Sequence, residues 1–151
     1  MKITGEIAVN APREKVFDAL RDARFFASCI DGVGDLTPLG GERFEAMLET
    51  RVAYIQLKFK VAVEMTRIDP PHEIGAKVEG VPLGIVGRLA ATSLTRLVED
   101  GDTTRIQYEI DASLTGKLGA IGAPVMKAKA KEMEKTFAAR LHAAFAAEAA
   151  R

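Results

Sequence analysis

The sequence predicts an α+β fold in which an antiparallel sheet wraps on one long C-terminal helix. Three observations carry that prediction. Residues 55–65 alternate strictly, with Ile55, Leu57, Phe59, Val61, Val63 and Met65 on one face and Gln56, Lys58, Lys60, Ala62 and Glu64 on the other, which is the period of a half-buried strand. Residues 105–114 repeat the pattern, with Ile106, Tyr108, Ile110, Ala112 and Leu114 opposed to Arg105, Gln107, Glu109 and Asp111. Over residues 124–150 the period changes to steps of three and four, through Met126, Ala130, Met133, Phe137, Leu141, Ala144 and Phe145. That stretch is rich in alanine, the best helix former.

The remaining elements follow in chain order. Lys2–Val9 reads as a first strand. Asn10-Ala11-Pro12 reads as an N-cap followed by a proline near the first turn of a short helix, whose apolar stripe is Val16, Phe17 and Leu20. Asp22 can cap a second short helix, in which Phe25/Cys29 and Phe26/Ile30 fall at i,i+4. Further strands fit residues 43–50 and 73–80. Within Glu99-Asp100-Gly101-Asp102, Asp-Gly supplies the positive φ of a tight hairpin, so residues 85–98 should pair antiparallel with 103–113. The sum is a curved antiparallel sheet of about six strands, two short helices after the first strand, and the long helix. Strands grouped apart from helices mean that the helix buries its stripe on the concave face of the sheet. A strongly curved sheet closed by one helix leaves a cavity between them.

Composition bounds the function. The 151 residues are 48% hydrophobic, and 21 Lys+Arg balance 21 Asp+Glu, as expected of one soluble domain spanning residues 1–151. Such a length buries roughly 68–70% of the unfolded chain's surface, enough for a core without disulfides or structural metal. The lone Cys29 leaves no disulfide framework within the chain. No apolar run follows the opening Met1-Lys2-Ile3-Thr4-Gly5-Glu6, and none elsewhere approaches the ~18 residues of a spanning helix, so the expected compartment is the cytoplasm. Residues 117–151 carry seven Lys/Arg and three Glu, a local net charge of +4. The only aromatics in that basic segment are Phe137 and Phe145, both on its apolar side, so nucleic acid is not an expected partner.

Side chains that carry chemistry are few. His72, after Pro70-Pro71, and His142, near the end of the last helix, are far apart in sequence and read as surface groups. With Cys29 they make no metal-ligand spacing, and no catalytic residue, metal or cofactor is assigned. Cys29 reads as a small buried apolar residue or, beside Phe25 and Phe26, as part of a pocket wall. Gly116, Gly119 and Gly122 have the wrong spacing for a dinucleotide fingerprint, and no Walker lysine follows. They serve either as turn geometry or as a gate at the rim of the cavity. Gly80, Gly84 and Gly87 around Val81-Pro82-Leu83 shape a loop or strand bend. Met126, Met133 and Phe137 suit a core, but methionine adapts to irregular apolar ligands, and Ala130 leaves space between them. Lys127, Lys129, Lys131 and Lys135 form a solvated face partly matched by Glu132 and Glu134, or else a docking surface for an acidic partner.

Four segments carry a family likeness: Ala11-Pro12-Arg13-Glu14-Lys15-Val16-Phe17, Cys29-Ile30-Asp31-Gly32, Asp100-Gly101-Asp102-Thr103-Thr104-Arg105 and Gly116-Lys117-Leu118-Gly119-Ala120-Ile121-Gly122. With them the sequence resembles, nearly end to end, the carbon monoxide dehydrogenase G-subunit (CoxG) family of the helix-grip, START-like (SRPBCC) superfamily. The first and third segments are generic to the superfamily; the second and fourth are more specific. Cys-x-Pro-Gly is usual in the family, and Asp31 here replaces the proline. Many members continue into a tail with a membrane anchor, whereas this sequence ends at Arg151, so the expectation is at most weak peripheral membrane contact.

The resemblance implies a non-catalytic accessory protein of a molybdenum hydroxylase, linking that enzyme to the membrane or carrying a quinone-like hydrophobic small molecule. The pocket so implied is lined by Phe25, Phe26, Cys29, Ile30, Leu57, Phe59, Tyr108, Gly119, Gly122, Met126, Ala130, Met133 and Phe137. Two rivals stand beside it: a cyclase or aromatase-type enzyme on the same fold, and an assembly factor with no ligand. The enzyme needs an acid or base inside the cavity. The inward positions offer Tyr108, with Tyr54 as a second candidate outside the clear alternation.

Overall fold

The computed structural model describes residues 1–150. Seven strands form one antiparallel sheet: β1 (Lys2–Val9), β2 (Val33–Gly40), β3 (Arg43–Val52), β4 (Ile55–Asp69), β5 (Glu73–Pro82), β6 (Gly87–Asp100) and β7 (Thr103–Gly116). Their order across the sheet is β1-β7-β6-β5-β4-β3-β2, so β2 to β7 make a meander and β1 closes beside the last strand. Helices α1 (Arg13–Arg21) and α2 (Ala23–Ser28) carry the chain from one edge of the sheet to the other, and α3 (Ala123–Ala149) follows β7. This is the helix-grip architecture expected, with seven strands in place of about six. The additional strand is β2, an exposed edge carrying Gly34, Pro38 and Gly40, whose pairing with β3 breaks register between Gly34 and Thr37 and again between Pro38 and Gly40. It has no buried face, so no alternation marks it in the sequence.

Local chemistry accounts for most boundaries. The Asp22 carboxylate accepts from the backbone N–H of Arg24 at 3.0 Å and of Phe25 at 3.3 Å, capping α2 as expected. Asn10 does not cap α1. The helix starts behind Pro12, and the Asn10 side chain accepts from the Thr103 hydroxyl at 3.1 Å, tying β1 to the β6–β7 hairpin. That hairpin turns at Gly101, whose φ is +63°. In β4 the alternation stops at Met65 because a bulge shifts the pairing between Met65 and Arg67; Ile68 then resumes the packing.

The core explains how the sheet grips the helix. A 27-residue α3 is about 40 Å long at 1.5 Å per residue. It contacts β1 at one edge and β3 near the other, so the sheet curls round it. Its C-terminal half buries Leu141 and Phe145 against Ile7, Val9, Val16, Phe17, Ile74, Leu97 and Ile106. Its N-terminal end lays Met126 on a second cluster of Val52, Leu57, Phe59 and Leu118. Leu118, only 1% exposed, is turned inward by Gly116. There φ is +62° and a Cβ would lie 2.6 Å from the Val86 carbonyl oxygen, so a side chain is excluded twice over. The glycine segment thereby drives a leucine plug into this end of the grip.

Candidate functional site

Between the two clusters the helix stands off the sheet, and a cavity of about 340 Å³ remains beneath it. The roof is α3, through Ala130, Met133 and Phe137. Apolar side chains from five strands form the floor and walls: Ile3 and Ile7 from β1, Phe44 from β3, Val63 and Met65 from β4, Ile74 and Ala76 from β5, and Ile106 and Ile110 from β7, while β6 adds Ser93 and Thr95. Leu20, Phe26 and Ile30 close the side next to α1 and α2. Phe26 leans on Phe137, ring centroids 5.2 Å apart and planes at 52°, so the two aromatics form one corner of the wall.

Of the residues expected at the pocket, the structure gathers Phe26, Ile30, Tyr108, Ala130, Met133 and Phe137 round this cavity. The others lie elsewhere, each for a packing reason. Phe25 sits one position round α2 from Phe26 and meets Phe145 edge-on at 6.4 Å, within the first core cluster. Cys29 is buried but does not line the cavity, and burial pushes its thiol pKa up. Leu57, Phe59 and Met126 share the inward face of their elements with lining residues, but Leu118 fills the space over them. Gly119 lies in a 3-10 turn and Gly122 starts α3. Tyr54 projects into solvent at the β3–β4 turn, 85% exposed.

Polar groups occupy two sides of the cavity. On the side next to α2, Asp31 lines the opening and accepts from Arg140 of α3 at 3.1 Å, while Arg140 also donates to the Ser28 carbonyl at 3.3 Å. The aspartate in place of the usual proline therefore gives the loop after α2 a charged tie to the roof. Both groups are largely exposed, and such a pair contributes about 0–1 kcal/mol. Lys129 also lines the cavity, its side chain only 14% exposed and 3.5 Å from Glu132. Lys127, Lys131 and Lys135 face solvent.

On the opposite side Tyr108 and Glu134 line the cavity together. Desolvation and then the neighbouring Glu134 carboxylate push the Tyr108 phenol up to about 12. Periodicity places Tyr108 inward. Glu134 could not be found that way, because a glutamate among lysines on a helix reads as solvated. Ser93 and Thr95 become legible only through the register, which sets Thr95 opposite Tyr108 and Ser93 opposite Ile110.

His72 is exposed in the β4–β5 turn, and the exposed His142 ring donates from Nε2 to the Ala8 carbonyl at 2.6 Å, pinning α3 to β1. Among the described residues no three His, Cys, Asp or Glu side chains converge as a metal site. None of the described helices is long and apolar enough to cross a membrane.

Comparison with solved structures extends the likeness over the whole grip. A conserved protein from Geobacillus kaustophilus superposes with a TM-score of 0.88 at 25% identity, covering 97% of this chain and 95% of its own. A START superfamily protein from Mycobacterium smegmatis gives 0.71 at 13% identity, with 94% of each chain covered. A protein from Thermus thermophilus gives 0.65 at 15% identity, over 95% and 99% of the two chains. No curated protein matches the sequence. The family model for the G subunit of carbon monoxide dehydrogenase, CoxG, matches residues 5–146, nearly the whole described chain. The chain belongs to the carbon monoxide dehydrogenase G-subunit (CoxG) family.

Proposed function

We propose that this chain is a non-enzymatic, cytoplasmic single-domain carrier of a hydrophobic, quinone-like small molecule, serving a molybdenum hydroxylase of the carbon monoxide dehydrogenase type. The observation that carries the reading is the apolar cavity of about 340 Å³ under α3. That volume falls in the range of small-molecule pockets, which are mostly apolar with a few placed polar groups. Each Å² of apolar ligand surface removed from water contributes about 25 cal/mol before ordering costs. Family membership supports the partner class. The balanced charge of the chain, with a bias of only +4 over residues 117–151, supports at most weak peripheral contact with membranes.

One feature favours the cyclase-type reading, namely the tyrosine and carboxylate that share the cavity. Its chemistry weakens that reading, since a phenol held near 12 keeps its proton at neutral pH and is far from the pKa that general acid–base catalysis uses best.

The test is native mass spectrometry of protein purified without detergent, followed by titration with short-chain ubiquinone and menaquinone analogues. A bound apolar species, or saturable one-to-one binding of an analogue, is expected. No bound species, no saturable binding and no thermal shift with any apolar compound would leave the assembly factor.

A further inference from the structure

We propose that the end of the grip opposite the Gly101 hairpin is a docking surface for an anionic lipid bilayer, engaged weakly and reversibly. The residues that form it are none of those lining the cavity, so the carrier reading and this one can fail separately.

Topology brings three connections to that end: the β3–β4 turn, the β5–β6 loop and the segment from β7 into α3. Backbone hydrogen bonds tie them together, from the Leu83 N–H to the Lys58 carbonyl and from the Lys117 N–H to the Val86 carbonyl, both at 2.8 Å. Beneath them lies the cluster of Val52, Leu57, Phe59 and Leu118, which gives the three segments a packed base. Their tips nevertheless carry apolar side chains into solvent: Tyr54, Val86 at 78% exposure, Leu83 at 53%, and Val125 in the first turn of α3. With Val81 at the end of β5, these are five of the seven exposed large apolar side chains among the described residues. Apolar groups gathered at one place on a surface mark an interaction site.

The same end is basic. Residues 50–63, 80–98 and 112–131 contain no Asp or Glu, in a chain whose charges balance overall. Lys58 is held by Glu49 at 3.3 Å and Lys129 by Glu132 at 3.5 Å, but the exposed Arg51, Arg88, Lys117 and Lys127 make no ion pair among the described residues. The two features together choose the occupant. An anionic bilayer presents phosphate at its surface and hydrocarbon a short way beneath, so it meets unpaired cations and protruding apolar tips at once. Tyrosine is favoured at that boundary, its ring lying in the apolar layer and its hydroxyl in the wet one. An acidic protein would meet the cations but offer the tips no apolar layer. Each cation near such a surface is worth about fivefold in partitioning at low salt, an attraction that raised salt screens.

The experiment is co-sedimentation of the full chain with vesicles of equimolar phosphatidylglycerol and phosphatidylcholine at low salt, against vesicles of phosphatidylcholine alone. Wild type should partition onto the anionic vesicles only, and leave them as salt is raised. Arg51→Ser with Lys117→Ser should weaken partitioning by about tenfold or more. Arg24→Ser with Lys77→Ser removes two exposed cations that lie elsewhere and are likewise free of ion pairs among the described residues, and should leave partitioning within about threefold of wild type. Leu83→Ser with Val86→Ser leaves the charge untouched and should also cost about tenfold. All six positions are exposed, so the variants should stay folded, which circular dichroism checks. Equal losses from the two cation variants would overturn the docking surface in favour of diffuse attraction, and no loss from the Leu83 and Val86 variant would overturn the entry of the tips into the bilayer. Failure of wild type to bind the anionic vesicles would overturn the proposal outright. If the chain then binds soluble polyglutamate through Arg51 and Lys117, the occupant is an acidic protein.

Discussion

Truncating Phe137 and truncating Leu141 should have opposite signatures, because one side chain roofs the cavity and the other fills the core. Leu141 is fully buried among Ile7, Phe17, Ile106 and Phe145. Leu141→Ala opens a new void and should cost about 3–5 kcal/mol, roughly 10 °C in Tm for a chain of this size. Phe137 packs on Phe26 and the edge of the same cluster but turns its other side to the 340 Å³ cavity. On that side it has few partner atoms to lose. Phe137→Ala should therefore cost about half the usual 3–5 kcal/mol for a core phenylalanine. It should also weaken apolar ligands by about tenfold through lost contact area, whereas Leu141→Ala leaves affinity unchanged. Urea unfolding at constant m-value gives the stabilities, and displacement of a bound apolar dye gives the affinities. If Phe137→Ala costs as much as Leu141→Ala and leaves dye binding untouched, the region under Phe137 is packed core and the cavity is misassigned.

Other outcomes follow from single groups. Met133→Lys places a charge in the cavity roof and should abolish binding of apolar ligands while the protein stays folded by circular dichroism. Asp22→Ala removes two N–H contacts from the start of α2 and should cost about 1 kcal/mol by denaturant titration. Folding raises the Tyr108 pKa from its ordinary value of 10.0 to about 12, so its contribution is complete below about pH 10 and is lost as pH rises towards 12. Alkaline absorbance titration should show a late phenolate step that Tyr108→Phe removes. Burial raises the Cys29 thiol pKa, so iodoacetamide should label it slowly in native protein at neutral pH and fast in urea. Sedimentation with anionic vesicles should be weak and vanish at raised salt; salt-resistant binding to neutral vesicles would contradict that.

Much of the fold was legible because its signals are local. Strict alternation at 55–65 and 105–114, the Asp-Gly hairpin and the three-four period of α3 each specify an element without knowledge of its neighbours. The exposed edge strand β2 escaped because it buries nothing, and the end of β4 escaped because a bulge reverses the alternation there.

The site was less legible, since facing inward is a property of one element and lining a cavity is a property of several. Leu57 and Phe59 face inward as surely as Val63 and Met65. What separates the two pairs is Leu118, brought over the first pair by a turn far along the chain. Glu134 is the converse case, a charge at the edge of an apolar stripe whose partner, Tyr108, is a different element's contribution.

The most direct measurement is calorimetric titration of a short-chain ubiquinone analogue at several temperatures. One saturable site with a clearly negative heat-capacity change is predicted, since burial of apolar surface carries that signature. Heats that never saturate, with no thermal stabilisation at the highest soluble concentration, would contradict the carrier.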